Sequence, residues 1–138
     1  MKVKAVFLSP YLRSFLFMVL ISTACGCSQE HPGEDIYRNN CSQCHAMSGQ
    51  GLRKLYPSLD KSLYLSTRIA ELPCLIIQGS KTAIKTTERR KSSFMPPIKT
   101  INTAQMLLLI DYLQQRWATG GAPVSEQILD TWLSSCST

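Results

Sequence analysis

Five consecutive residues, Cys41-Ser42-Gln43-Cys44-His45, constrain this chain more than any other feature of its sequence. Two thiols three positions apart share one helical turn, where they can add across the two vinyl groups of a haem. That attachment places the adjacent imidazole of His45 where the iron must sit. The spacing therefore predicts a covalent haem site with His45 as one axial ligand.

Two other chemistries use closely spaced cysteines. A redox dithiol usually sits near a βαβ pattern, and no such pattern precedes Cys41. A zinc site needs further ligands at metal-finger spacing, and the only other histidine of the chain is His31. Because each alternative lacks its expected context, haem attachment is the favoured interpretation.

The 138 residues are enough for one domain with a leader. Residues 1–26 have a basic start, an apolar run over 15–21 and then small residues, which is typical of a secretory signal. Arg13 interrupts the apolar stretch, leaving about ten residues where roughly twenty would cross a membrane. We therefore predict a signal peptide over 1–26, a tether over 27–32, a domain over 33–138 and a periplasmic location.

The cysteines outside the motif suggest a lipid anchor and a disulfide. Cys25 and Cys27 follow the apolar run, as in bacterial lipoprotein signals, although neither has the usual leucine three positions before it. If Cys27 carries the lipid, Cys74 and Cys136 remain as an even pair in an oxidising compartment. If Cys25 carries it, Cys27 is left as an odd thiol. We favour Cys27 as the anchor and predict a Cys74–Cys136 disulfide.

From Gly33 to the C-terminus the sequence resembles the class I cytochromes c, here of the bacterial exported kind, which are small electron carriers with one haem. Beyond the attachment motif, the resemblance rests on Gly33, Tyr37, Gly49, Gly51, Pro57, Leu59, Met95-Pro96-Pro97 and Tyr112. It implies an all-α cytochrome c fold, with several short helices wrapped around one covalently bound haem c.

The resemblance also assigns roles to individual residues. Gly33 and Tyr37 match the positions where the first helix crosses the last one, and Tyr112 matches the aromatic residue that meets them. Ala46 departs from the glycine that often follows the histidine in the family.

A loop matching the family follows, with Pro57 and Leu59 at its centre. The carbonyl of Pro57 should accept a hydrogen bond from the ring of His45, which would fix the ring and raise its basicity as a ligand. Four apolar residues should help to bury the haem: Leu59, Leu75, Ile76 and Phe94.

Met95 is the predicted second axial ligand of the iron. A thioether is a weak, soft ligand that needs a rigid loop, and the two prolines after Met95 restrict the backbone there. Met47 is too close to His45, and Met106 lies within an apolar helical face. His31 is possible as a ligand, although an exposed tether histidine is the favoured interpretation.

The remaining pattern is helical throughout. Pro73 and Gly79 bound a short helix that ends a helical stretch beginning at Ser62. Asn102 should cap a long helix with Gln105 as its capping-box partner. Ser125 should open a final helix whose inner face consists of Ile128, Leu129, Trp132 and Leu133.

These residues predict electron transfer between respiratory partners. The sequence offers no paired acid and base, phosphate loop or activated nucleophile, so no catalysis on a substrate is expected. Two alternatives remain open: a haem module of a larger oxidoreductase complex, and a gas-binding sensor. The net charge of +6 includes three basic residues of the leader, so nucleic acid is not an expected partner.

A basic cluster brackets Met95 and consists of Lys81, Lys85, Arg89, Arg90, Lys91 and Lys99. Because the family exposes its haem edge near the methionine loop, the cluster should steer an acidic docking face into place. The expected partner is an oxidase, reductase or dehydrogenase with such a face.

Overall fold

The described part of the chain is built from six α-helices and one 3-10 turn, which confirms the all-α prediction. The computed structural model describes residues 11, 30–52, 55–80, 94–118 and 120–136. The elements are α1 (Pro32–Asn40), α2 (Ser42–His45), α3 (Leu63–Ser66), a 3-10 turn (Ile69–Glu71), α4 (Leu72–Gln78), α5 (Thr103–Trp117) and α6 (Glu126–Ser134).

Residues His31–Thr138 form one unit, and Met1–Glu30 form another, of which only Tyr11 and Glu30 are described. Apart from Tyr11, the predicted signal peptide therefore lies outside the described residues. Both candidate lipid anchors, Cys25 and Cys27, lie outside them as well. Among the helices that are described, none is long and apolar enough to cross a membrane.

Helix α1 begins at Pro32, within the predicted tether over 27–32, because His31 caps it. The His31 Nδ1 accepts a hydrogen bond from the Gly33 N–H at 3.0 Å, and its Nε2 lies 3.0 Å from Asp111 Oδ2 on α5. Only 23% of the side chain is exposed. The interpretation of His31 as an exposed tether residue was therefore wrong, because a partner 80 residues away along the chain engages its ring.

Helix α1 crosses α5, the helix that carries Tyr112, as the resemblance implied, although α6 follows α5 in the chain. A Cβ on Gly33 would overlap the Leu108 carbonyl and lie 2.7 Å from Tyr112 Cβ, so glycine is what permits the close approach. Tyr37 is fully buried beside this point, with its ring centroid 5.5 Å from that of Tyr112. The core of the domain forms around this crossing and includes Leu65, Leu72, Ile76, Met106, Leu109, Ile110, Leu113 and Leu129.

The Cys74–Cys136 disulfide is present and joins α4 to the residues just after α6, with the Cα atoms 5.3 Å apart. This confirms the prediction made from cysteine parity. The Ser125 hydroxyl caps α6 by accepting from the Ile128 N–H at 3.3 Å. Ile128 itself is 42% exposed, so its assignment to the inner face was wrong; as the third residue of α6 it lies on the rim of the apolar stripe.

The predicted helical stretch from Ser62 to Gly79 is divided into α3, the 3-10 turn and α4, but the signals predicted for the ends of α4 and of the long helix are observed. Asn102 and Gln105 form a reciprocal capping box at the start of α5. Pro73 lies in the first turn of α4, and Gly79 ends that helix with a φ of 71°. No strand occurs within the described ranges, where β-pairing is limited to two isolated bridges, Leu52 with Tyr56 and Ser80 with Met95.

Candidate haem site

Cys41 lies between α1 and α2, and Cys44 lies within α2, one helical turn further along the chain. The Cys41 N–H donates to the Tyr37 carbonyl at 2.8 Å, and the Cys41 carbonyl accepts from the N–H groups of Cys44 and His45. Both thiols are free and half-buried. Burial, with a smaller contribution from Cys44, raises the pKa of the Cys41 thiol to about 12, so this thiol is held in its neutral form.

His45 is oriented by the carbonyl predicted for that purpose. Its Nδ1 lies 3.1 Å from the Pro57 oxygen, and because a carbonyl can only accept, Nδ1 carries the proton. The lone pair therefore resides on Nε2, which is the nitrogen left for a metal. Burial lowers the pKa of His45 and the Pro57 bond partly opposes this, so the neutral ligand form is favoured.

The chain after His45 returns tightly towards the Pro57 loop. Gly49 and Gly51 have φ values of 71° and 70°, which glycine adopts without a steric penalty. The Gly51 N–H donates to the His45 carbonyl at 2.8 Å, and the Gly49 carbonyl accepts from the Leu59 N–H at 2.7 Å. Leu59 is half-buried and packs against the core. Motif and loop are thus connected by main-chain hydrogen bonds.

Met95 lies on a separate segment that is anchored to the end of α4. Ser80 and Met95 exchange two main-chain hydrogen bonds, at 2.8 and 3.1 Å, and the Ile98 N–H donates to the Ile76 carbonyl at 2.9 Å. A Cβ on Gly79 would overlap the Met95 carbonyl. The Met95 side chain is half-buried and packs against the core, whereas its neighbour Phe94 is 54% exposed.

The other candidate ligands are placed less suitably. Met106 is only 2% exposed and lies among the core side chains, as predicted. Both ring nitrogens of His31 already have partners at the α1 N-terminus and on α5. No group of three or more potential metal-binding His, Cys, Asp or Glu side chains occurs in the described ranges.

Two contacts to the turn after His45 were not predicted. The Tyr37 hydroxyl donates to the Ala46 carbonyl at 2.6 Å, and Trp117 Nε1 donates to the Ser48 carbonyl at 3.1 Å. The sequence identified Tyr37 only as an aromatic residue at the helix crossing, and it assigned no contact to Trp117. The one sequence signal that pointed to these contacts was Ala46, because it stands in a turn where the family often has glycine.

These side chains fit a haem c. The chain provides two unpaired thiols on one turn, an imidazole whose protonated nitrogen is fixed and whose other nitrogen is available, and a thioether on an anchored segment. Imidazole and thioether are the axial donors that cytochromes c use for iron.

Comparison with known families agrees with this fit. The family model described as Cytochrome c matches residues 31–117, more than half of the chain, so the protein belongs to the cytochrome c family. Membership implies a covalently bound haem c and a role in electron transfer. No curated protein matches the sequence. The match ends at Trp117, so α6 and Cys136 lie beyond it.

Proposed function

We propose that this protein carries electrons on a single haem c attached through Cys41 and Cys44, with His45 and Met95 as the axial ligands of its iron. The observation that carries the proposal is the hydrogen bond from His45 Nδ1 to the Pro57 carbonyl, one turn from two free thiols. The haem, when bound, supplies one-electron exchange at its iron.

The protein side chains would then set the reduction potential of the haem. The Pro57 carbonyl makes the His45 imidazole a more basic ligand. A thioether opposite an imidazole favours ferrous iron and raises the reduction potential relative to two histidines. His45 and Met95 together would hold the iron and would leave no position on it for a substrate, which suits a carrier better than an enzyme.

We further propose that the protein is exported to the periplasm, is tethered there by a lipid on Cys27, and exchanges electrons with an acidic-faced oxidase, reductase or dehydrogenase. The sequence of the leader and the basic cluster support this. Lys99 is exposed in the structure, and the other five members of the basic cluster lie outside the described residues.

Carbon monoxide tests the carrier proposal against the gas-sensor alternative. The haem-loaded, reduced protein should keep its absorption spectrum under carbon monoxide, because a bound Met95 blocks the sixth position. An immediate spectral shift at neutral pH would contradict a stable Met95 ligand and favour a sensor. Co-purification with a large partner in stoichiometric amount would instead favour the module of a larger complex.

A further inference from the structure

The turn that leaves His45 is held from two sides by aromatic side chains. The Tyr37 hydroxyl donates to the Ala46 carbonyl at 2.6 Å. The Trp117 indole N–H donates to the Ser48 carbonyl at 3.1 Å, and its ring lies directly against Gly49, where any Cβ would overlap it. Two of three successive carbonyls are thus bonded by side chains from other helices.

The turn needs such support because Ala46 adopts a conformation that suits glycine. Its φ of 60° and ψ of 159° lie in a region that residues with a Cβ rarely populate. Such a conformation persists only where its surroundings impose it. The Ala46 N–H donates to the Ser42 carbonyl at 2.8 Å, and its carbonyl receives the Tyr37 hydroxyl, so both sides of the residue are bonded.

The supported turn leads back to the ring of His45. The Gly49 carbonyl accepts from the Leu59 N–H at 2.7 Å and from the Ser58 hydroxyl at 3.2 Å. These bonds hold the loop whose Pro57 carbonyl receives His45 Nδ1. A displacement of the turn would therefore move the acceptor that determines the direction of the imidazole.

The two aromatic side chains are themselves well fixed. Tyr37, on α1, is fully buried, and Trp117 is the last residue of α5. Their ring centroids are 5.0 Å apart, and Tyr112 packs edge-on against Trp117 at 5.8 Å. The α1/α5 crossing thus provides a rigid base from which two polar groups reach the turn.

We propose that Tyr37 and Trp117 are positioning residues for His45, acting through the Ala46 and Ser48 carbonyls and the Pro57 loop. The assignment of His45 as an iron ligand rests on the proposed function, whereas the support of the turn does not. In this arrangement the helix crossing controls the orientation of an axial ligand as well as the stability of the fold.

The experiment compares Tyr37→Phe with Tyr112→Phe. Each variant removes one hydroxyl from the same aromatic cluster and keeps the ring, but of the two hydroxyls it is that of Tyr37 that donates to the turn. Amide hydrogen exchange at Gly49 and Gly51 reports on the turn, since the Gly49 N–H is bonded to the Ala46 carbonyl. Electron paramagnetic resonance g values of the oxidised, haem-loaded protein report on ligand orientation.

Tyr37→Phe should accelerate exchange at Gly49 and Gly51 by about fivefold to tenfold, the equivalent of one hydrogen bond, and should shift the g values. Trp117→Phe should act in the same direction. Tyr112→Phe should change neither readout. Adding Ala46→Gly to Tyr37→Phe should bring the g values back towards those of the parent, because glycine adopts the required φ and ψ unaided.

Equal effects of Tyr37→Phe and Tyr112→Phe, or no effect of Tyr37→Phe on either readout, would overturn the proposal. Amide exchange of the purified full-length protein reports on the turn and not on the iron ligands, so it also separates the two proposals. A protein that never acquires haem but shows the Tyr37-specific acceleration would overturn the proposed function and leave the support of the turn standing.

Discussion

The His45 side and the Met95 side of the site are held in different ways. The ring of His45 has its own directional hydrogen bond, to Pro57, within a turn that side chains and main chain both support. A thioether is only a weak hydrogen-bond acceptor, so Met95 is placed through its backbone, by pairing with Ser80 and close contact with Gly79. Side-chain changes should therefore disturb the first region, and backbone changes the second.

The largest effect should come from replacing Met95 itself. Met95→Ala and Met95→His should abolish the weak near-infrared sulfur-to-iron band of the oxidised protein. They should also lower the reduction potential by on the order of 0.2 V, within the roughly 0.8 V that axial ligands span. Met47→Ala and Met106→Leu are the controls and should keep the band. An unchanged band in both Met95 variants would assign the sixth ligand elsewhere.

Removal of the disulfide tests how far the placement of Met95 depends on α4. Replacing Cys74 and Cys136 together by serine should lower the free energy of unfolding by roughly 2–4 kcal/mol, because the unfolded chain loses a long closed loop. Since α4 anchors the Met95 segment, the near-infrared sulfur-to-iron band should also weaken at a lower temperature in this variant than in the parent. Denaturant unfolding measures the first effect; a loss below about 0.5 kcal/mol would show that α6 holds its place without the bond.

Gly79→Ala probes the close approach behind Met95, and Gly120→Ala is its matched control. Both glycines have positive φ, 71° and 78°, which residues with a Cβ rarely adopt, so both substitutions carry a backbone penalty of about 1–3 kcal/mol. Only at Gly79 does the new Cβ also meet the Met95 segment; around Gly120 there is open space. Thermal unfolding should rank Gly79→Ala as the more damaging, and only this variant should affect the methionine band. Equal losses would contradict backbone placement of Met95.

Reversing part of the basic cluster should have the smallest effect on the structure. It should instead change the rate of electron transfer to a partner. Changing Arg89, Arg90 and Lys91 together to glutamate should slow reduction or oxidation by an acidic partner about tenfold at low salt, because steering is lost. The reduction potential should change little. Stopped-flow kinetics across a salt series measures this; a flat salt dependence of the parent would leave the cluster without a docking role.

Local signals predicted much of this structure. Short spacings predicted the haem motif, the Asn102–Gln105 capping box, and the proline and glycine that bound α4. The family loop predicted the hydrogen bond from His45 to Pro57. The Cys74–Cys136 disulfide followed from cysteine parity and compartment alone, without any knowledge of distance.

Contacts between distant residues were not predictable in the same way. His31 became a helix cap because Asp111, far along the chain, fixes its ring. The hydrogen bond from Trp117 to the Ser48 carbonyl spans 69 residues and uses a main-chain acceptor that every residue has. Periodicity in α6 predicted an apolar face but not its limit, so Ile128 was assigned to the interior although it is exposed.

Covalent attachment of haem to Cys41 and Cys44 is the central claim, and extraction of the exported, coloured protein with acidified ketone tests it most directly. The account predicts that the colour stays with the polypeptide, and that a Cys41→Ser, Cys44→Ser double variant loses it to the solvent. Colour that leaves the parent protein with the solvent would contradict the account, as would a double variant that keeps its haem.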